Sequence, residues 1–377
     1  MKPVPFPAHF LRLGEPLPFD LCDAGGRVML AAGQAVEYPV QLDELTRQPL
    51  LADEAEMAAW MRRRLASTDL LPALPALSQQ WQDLVEQLDD ALHDLRAGSD
   101  WRARLFAVHG RARALFERRP DASLYHHVYE AGHSMRKYSC QHALLSLVVS
   151  EHAAAKLGWS QAWIDSLGRA ALTMNVAMRT VQDQLATAQK RPNAAVRAEI
   201  AAHPAAGAAL LETAGFGDPL CLGVVRLHHE ADGEEQPLAE QPPERQLARL
   251  LRRVDIFTAK ISRRATRSPM SPVRAAREAF LGANGMPDEI GGAMLKAVGL
   301  YPPGCFVALA NGELAIVVAR GERANVPQVA ALVSPRGSPL GEPLMRDTNL
   351  ERYAVRSAVT PSSVKVRPPH ERLLALG

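Results

Sequence analysis

The chain has 377 residues, more than one ordinary compact core requires, which predicts two or three domains. Hydrophobic residues make up 47% and charged residues 22%, as in folded globular proteins. With 43 basic and 41 acidic residues the net charge is +2, so we expect neither nucleic acid nor an anionic membrane as the main partner.

The cysteines and the apolar runs predict a cytoplasmic protein. The four cysteines are scattered and form no CxxC pair, which argues against a zinc ribbon or a disulfide scaffold and fits a reducing compartment. The first residues, "MKPVPFPAHF", lack the apolar core of a signal peptide. No uninterrupted apolar run approaches about 18 residues, so we expect no membrane span.

Residues 1–66 are predicted to form a small N-terminal α/β unit. Two short apolar segments flank Asp23-Ala24-Gly25-Gly26, which indicates a β-hairpin with a glycine-rich turn. The following stretch, "DEAEMAAWMRRRL", has acids in its first turn and arginines in its last, as the helix dipole favours.

Residues 67–300 are predicted to be an all-α domain. Apolar residues recur there at three- and four-residue spacing in an alanine- and leucine-rich background. Beyond the helices of residues 77–119, we expect further helical runs at 138–157, 160–189, 194–213, 218–230, 243–263, 271–284 and 287–298.

Residues 301–377 are predicted to form a small C-terminal β unit, so that the whole fold is mainly α. Two β-rich runs flank Asn311-Gly312, which favours a type I′ hairpin. Further strands are expected at about 327–333 and 352–358, and the tail that begins at Thr360 is expected to be loosely held.

Five side chains of the helical region are candidate metal ligands. They are His142, His203, the adjacent pair His228 and His229, and Asp255, which lies in an apolar helical run. Imidazole and carboxylate groups are the usual ligands of Mn, Fe and Zn ions that activate water. A histidine pair and an isolated aspartate in a helical core therefore predict a metal site.

The motifs around these residues resemble, in order and spacing, the HD-GYP family of helical HD-superfamily phosphodiesterases that cleave cyclic di-GMP. The resemblance runs from about residue 138 to 304 and rests on "QHALLSL", "AALTMNVAM", "AHPAAG", "LHHEADG", "VDIFTAK", "RATRSPMSPVRAA" and "YPPG". It implies an HD-superfamily fold for the helical domain, a bacterial origin and a link to cyclic di-GMP signalling.

The departures from the family pattern fall on its catalytic positions. Met174-Asn175 stands where the family has His-Asp, Met178 stands where it has a lysine, and no GYP follows Asp232-Gly233. A neutral asparagine cannot compensate the charge of two bridged cations, and a methionine thioether matches Mn or Fe poorly. The sequence therefore predicts no metal ion, or one divalent ion of Mn or Fe, in place of a binuclear centre.

If one ion is retained, the resemblance makes three imidazoles its ligands, with two further groups beside them. The three are His203, His228 and His229, and the neighbours are His142 and Asp255. Otherwise these histidines are structural.

Arg264 and Arg267 match the two arginines of the family's "RPYR" stretch and are candidate phosphate contacts; the alternative is a solvated loop. Outside the resemblance, Tyr138 is expected to be a packing residue. His126, His127 and His133 are expected at the surface or an interface.

Three functions remain open from the sequence. The first is a non-catalytic signalling domain that acts in cyclic di-GMP signalling through ligand or protein binding. The second is an active metal-dependent phosphodiesterase on cyclic di-GMP or another phosphoester. The third is cyclic di-GMP binding without cleavage, which the low aromatic content of 5% disfavours because it limits base stacking.

Overall fold

A computed structural model describes residues 3–7, 10–11, 14–46, 48–66, 76–230, 236–281 and 286–376. The chain divides into two compact units, Met1–Leu74 and Pro75–Gly377. The expected domain boundary at residue 67 and the "ADGEE" loop at 231–235 lie outside the described residues.

The first unit is an antiparallel sheet with two helices. Its sheet order is β1-β4-β2-β3, and the pairing of β2 with β3 confirms the predicted hairpin. Phe6, Phe10, Phe19 and Trp60 form an aromatic cluster within it, with ring centroids 5.7–6.4 Å apart. The elements are β1 Pro3–Phe6, β2 Leu21–Cys22, β3 Val28–Leu30, α1 Pro39–Thr46, β4 Leu50–Asp53 and α2 Glu54–Ala66.

The second unit is built around a buried helix, α6, which is apolar on nearly all sides and packs against α7, α11 and α13. A helix that is hydrophobic all round belongs in a core. The helices are α3 Leu77–His93, α4 Trp101–Arg118, α5 Pro120–His133, α6 Tyr138–Lys156, α7 Gln161–Thr173, α8 Arg179–Thr187, α9 Ala194–Thr213, α10 Pro219–Leu227, α11 Pro243–Ile261, α12 Pro272–Phe280 and α13 Glu289–Val298. The predicted mainly-α fold is confirmed.

The single helix predicted for residues 160–189 is wrong. The chain leaves α7 at Met174, bends at Asn175 and makes one short 3-10 turn before α8 begins at Arg179. Asparagine is a weak helix former because its side chain competes for backbone hydrogen bonds, so a break at this point costs little.

The C-terminal strands form an antiparallel sheet of order β8-β7-β6-β5-β9 within the second unit. The strand β8 was not predicted, because the prolines and glycine of "PLGEPLMR" hide its pattern; such residues are tolerated on an edge strand. The strands are β5 Phe306–Leu309, β6 Leu314–Ala319, β7 Gln328–Val333, β8 Pro339–Arg346 and β9 Val355–Val359.

The hairpin at Asn311-Gly312 is confirmed, but the type I′ turn is wrong. Only Gly312 has a positive φ, of 87°, whereas a type I′ turn needs positive φ at both central residues. The Gly312 amide donates to the Leu309 carbonyl, so Gly312 closes the turn and then occupies the left-handed position.

The tail is held more firmly than expected. The helix α14, His370–Leu374, buries Leu373 and Leu374, and the His370 ring lies 4.8 Å from the Tyr129 ring of α5. Two buried leucines and an aromatic contact are enough to dock a short helix that alone would be unstable.

Among the described residues, no helix combines the length and apolar character needed to cross a membrane.

Gly304 of the "YPPG" motif marks a close approach to α5. Its φ is 89°, and a Cβ there would lie 2.6 Å from the carbonyl oxygen of Tyr125. We expect Gly304→Ala to lower the free energy of unfolding by about 2–4 kcal/mol, from left-handed strain and backbone displacement. Urea denaturation measures this change.

Gly312→Ala is the matched control, because Gly312 has a similar φ but meets only Pro335 atoms at 3.5 Å or more. That variant should cost about 1 kcal/mol, from strain alone. Equal losses in the two variants would contradict the proposed role of the close approach.

Candidate metal centre

The five predicted ligand-type residues come together from four helices. His203 lies on α9, His228 and His229 follow the end of α10, Asp255 lies on α11 and His142 lies on α6. His142, His203 and His228 are at most 2% exposed, whereas the His229 side chain is 39% exposed. One side of the centre is therefore closed and His229 forms its open side.

Pro204 determines how His203 is oriented. Within α9 the missing amide hydrogen of Pro204 leaves the Ile200 carbonyl without its usual helical donor. The Nδ1 atom of His203 donates to this same carbonyl oxygen at 2.6 Å. The proton of the neutral ring is therefore on Nδ1, and Nε2 presents a lone pair.

The end of α10 orients His228 in the same way. The last carbonyls of a helix lack intrahelical donors, and Nδ1 of His228 donates to one of them, the Val225 oxygen, at 2.7 Å. Nε2 of His228 is again the atom with the free lone pair.

These two lone pairs face each other. Nε2 of His203 lies 3.1 Å from Nε2 of His228, and the contact is favourable only if a proton or a metal cation lies between them. Burial lowers the pKa of His228 to about 3 and also lowers the pKa of His203, which disfavours the proton. The arrangement therefore suits a metal ion, whose cis nitrogen ligands lie roughly 3 Å apart.

His229 completes a set of three imidazoles. One ligand nitrogen from each of His203, His228 and His229 lies within 4.8 Å of the other two. No other described group of at least three histidine, cysteine, aspartate or glutamate side chains meets this distance. Three nitrogens with one exposed side fit a single ion that keeps an open coordination position.

Asp255 and His142 form the second part of the centre. Nε2 of His142 donates to one Asp255 oxygen at 2.8 Å, and the other oxygen lies 3.8 Å from Nε2 of His229. Burial raises the pKa of Asp255, but the hydrogen bond from His142 and the nearby imidazole of His229 outweigh it and hold that pKa below its usual range. Asp255 thus stays a carboxylate beside the three imidazoles.

The segment with Met174, Asn175 and Met178 connects α7 to α8 and packs on α9. The Met174 carbonyl oxygen lies 3.7 Å from the position of a Cβ built on Gly207, one turn after His203. Met174 is 1% exposed, and Asn175 Oδ1 is buried with no hydrogen-bond partner among the described residues. An amide oxygen has two lone pairs but no formal charge, so it does not compensate the charge of two bridged ions.

The two candidate phosphate arginines lie outside the group of ligands. Arg264 donates to the Tyr138 hydroxyl at 2.9 and 3.1 Å, and its guanidinium lies 5.1 Å from the Tyr138 ring centroid. Arg267 donates to the Ala259 carbonyl oxygen at 2.5 Å and is exposed. A role for either arginine in phosphate binding stays a prediction.

Sequence reasoning missed the role of Tyr138 beside the centre. Its ring stacks on the His142 ring, with centroids 5.9 Å apart and planes 11° apart, and its hydroxyl accepts from Arg264. The spacing of four residues between Tyr138 and His142 places both on one helix face and is the signal that could have found it.

Three further histidines were expected at the surface or an interface, and the surface alternative is wrong for two of them. His126 and His127 are 3% and 4% exposed, because α5 packs against α4, α6 and β6, and the His127 ring also contacts Trp81 of α3. His133 is half-buried and stacks on Tyr129, with ring centroids 4.0 Å apart.

Comparison with known proteins gives one fold likeness. No family model matches the chain, and no curated protein matches it. Among solved structures it is similar to Bd1817, a HDG"Y"P protein from Bdellovibrio bacteriovorus, with a TM-score of 0.46 and 13% identity, covering 78% of this chain and 99% of that chain. At this TM-score the likeness does not assign the chain to a family.

Proposed function

We propose that this chain is a degenerate HD-GYP-like signalling domain of the bacterial cytoplasm that keeps a single metal-binding centre and does not hydrolyse cyclic di-GMP. The opposed imidazole nitrogens of His203 and His228, each oriented by a backbone carbonyl, support the metal site. The motif order from residue 138 to 304 supports the family and the link to cyclic di-GMP.

The donor set supports one ion and not two. His203, His228 and His229 would hold it, with the Asp255 carboxylate next to His229. Imidazole-rich sites suit Fe(II) or Zn(II) better than Mn(II), so within the expected pair we favour iron. Such an ion supplies Lewis acidity toward an oxygen of a phosphate or a water molecule.

The loss of hydrolysis follows from the residues at the family's catalytic positions. Two metal ions that share a bridging water need an anionic ligand between them, and Asn175 supplies a neutral amide. Met174 has a buried apolar side chain in place of an imidazole. The remaining groups bind and orient: the imidazoles hold the ion, and His142 fixes the Asp255 carboxylate.

The test joins a metal count to a hydrolysis assay on the full chain. After loading with Fe(II), Mn(II) or Zn(II) and removal of excess ion, we expect close to one ion per chain by elemental analysis. Cyclic di-GMP incubated with each loaded form should remain intact by chromatography. His93→Ala, which replaces an exposed histidine of α3, should leave the metal count unchanged.

Two results would overturn the proposal. Two ions per chain would mean that Asn175 does not prevent a binuclear centre. Linear dinucleotide or GMP that disappears in the double variant His228→Ala, His229→Ala would establish the active phosphodiesterase as the function. If cyclic di-GMP binds saturably and no products form, the domain would act in signalling by binding this ligand rather than a protein partner.

A further inference from the structure

The C-terminal helix α14 docks on the start of α3 and on α5. Leu373 and Leu374 are buried, and the Leu374 carbonyl oxygen accepts a hydrogen bond from Arg119, which precedes α5. The Glu371 carboxylate accepts a hydrogen bond from the Ser78 hydroxyl of α3. A helix of five residues is not stable alone in water, so α14 keeps its helical form only while it is docked.

An imidazole pair joins α14 to α5. Nδ1 of His126 lies 3.3 Å from Nε2 of His370, and Nδ1 of His370 is buried without a hydrogen-bond partner among the described residues. The His370 ring also lies against the rings of Tyr125 and Tyr129, with centroids 5.3 and 4.8 Å away. Burial raises the pKa of both tyrosines, so His370 is surrounded by neutral rings.

The docked pair has no suitable place for an additional proton. Two neutral imidazoles share one N–H···N hydrogen bond, in which either ring is the donor. If His370 donates, an added proton goes to its Nδ1 atom, which is buried and has no acceptor among the described residues. If His126 donates, a proton added to Nε2 of His370 faces the proton of His126 and breaks the hydrogen bond. In both arrangements a charged His370 is unfavourable while α14 is docked.

The ionisable groups closest to the pair agree with this geometry. Burial lowers the pKa of His370, Glu371 raises it in part and His133 lowers it further, so the net direction is down. Burial also lowers the pKa of His126, and the neighbouring imidazoles of His127 and His370 act in the same direction. Both members of the pair are therefore neutral histidines in the docked state.

The other charged groups around α14 do not add a drive toward release in acid. Arg372 of α14 pairs with Glu342 of β8 at 3.0 Å, and Arg367 lies near Tyr129 in the segment before the helix. Burial raises the pKa of Glu130, one turn along α5, so protonation of this carboxyl favours its buried state and opposes release. The charge that favours release in acid is therefore on the histidines.

We propose that α14 is a pH-dependent latch, which detaches from α5 in mild acid while the helices of the second unit stay folded. The docked pair excludes a proton, whereas His370 of the detached tail lies in water, where a histidine titrates near 6.5. Because its docked pKa is lower, docking is strongest above about pH 6.5 and weakens as the pH falls. Detachment uncovers the side of α5 that carries Tyr125 and Tyr129. The latch does not depend on the proposed metal function.

Thiol labelling of the full chain with Leu374→Cys measures how often α14 opens. Leu374 is 2% exposed, so a pyridyl disulfide reaches a thiol at this position only after the helix detaches. The labelling rate, divided by that of an unstructured peptide with the same tail sequence, gives the opening constant without the pH dependence of the thiol. Between pH 7 and pH 5 we expect this constant to rise about 10- to 25-fold through His370.

A native cysteine reports on the core in the same experiment. Cys140 lies on α6 and is fully buried, and peptide mass spectrometry separates its labelling from that of the introduced thiol. The introduced thiol should be labelled at least about 100-fold faster than Cys140 at each pH, because detachment of α14 requires no global unfolding.

Two further substitutions in the same background separate the latch from a general effect of acid. His370→Phe removes the titrating group but keeps a ring against Tyr125 and Tyr129, and it should reduce the rise about tenfold. His93→Phe makes the same change at an exposed histidine of α3 and should leave the rise unchanged. The Leu373 methyl resonances at pH 7 establish that α14 is docked in each variant. If the cysteine variant is undocked, the pH titration of these resonances in chains without it replaces the labelling.

Three results would overturn the proposal: an opening constant that is the same at pH 7 and pH 5, an equal rise in His370→Phe, or labelling of the introduced thiol no faster than that of Cys140. The last result would mean that α14 detaches only when the whole unit unfolds. The metal count in the preceding experiment is independent of each of them, so the two proposals fail separately.

Discussion

Pro204→Ala should stabilise the fold and at the same time weaken metal binding. The new amide of residue 204 donates to the Ile200 carbonyl and repairs the ladder of α9, worth about 1–2 kcal/mol after the loss of proline rigidity in the unfolded chain. That amide shares the oxygen to which Nδ1 of His203 donates. A carbonyl accepts two bonds, so we expect a partial loss of orientation and about tenfold weaker binding.

His228→Ala sets the upper limit of the effect. It removes a ligand rather than its support, so binding should fall by more than about 100-fold. Competition with a chromophoric chelator gives both affinities, and urea denaturation of the metal-free proteins gives the stabilities.

Pro219→Ala is the matched control for the proline substitution. Pro219 occupies the first turn of α10, where an amide has no intrahelical acceptor, so the same change should leave metal binding unchanged and lower the stability by only about 0.4–1 kcal/mol, from the loss of proline rigidity in the unfolded chain. If Pro204→Ala binds metal as tightly as the unchanged chain, the carbonyl of Ile200 does not determine the orientation of the His203 ring.

Acid should destabilise the second unit strongly through its buried histidines. Burial lowers the pKa of His127 to about 3, and burial also lowers the pKa of His126 and of His370. In the unfolded chain a histidine titrates near 6.5. As the pH falls below about 6.5 the unfolded state takes up protons that the folded state excludes, so stability is lost continuously toward the folded pKa.

The expected loss between pH 7 and pH 4 is about 3 kcal/mol for His127 alone. His127→Phe removes this group from the core while keeping a ring beside Trp81. As the pH falls from 7 to 4, the free energy of unfolding of His127→Phe should therefore decrease less than that of the unchanged chain. The difference between the two free energies should change by about 3 kcal/mol. Urea denaturation at a series of pH values measures both curves.

Val128→Ala is the control, because Val128 is a buried neighbour without a titratable group. It should lower the stability equally at every pH. Parallel curves for His127→Phe and the unchanged chain would show that His127 does not exclude protons when folded.

The sequence by itself determined the mainly-α class and the candidate ligands. Helical periodicity and proline or glycine at the ends are local signals, and they locate α9, α10 and α11 to within a few residues. The histidines and Asp255 stood out because polar groups in apolar helices need a partner. Met174 and Asn175 were recognisable as departures from the family pattern because the motifs before and after them fix their place in the order of motifs.

Only the tertiary structure decided how these groups face each other. The opposition of His203 and His228 depends on one carbonyl freed by a proline and another freed by a helix end, two causes that lie 25 residues apart in the chain. The burial of His126 and His127 was missed because their helix has no clear polar face, and the packing of α4, α6 and β6 covers it. The cavity lined by residues of α3, α5 and α6 was equally invisible, since it is formed by side chains from separate helices, and no local pattern encodes the space between them.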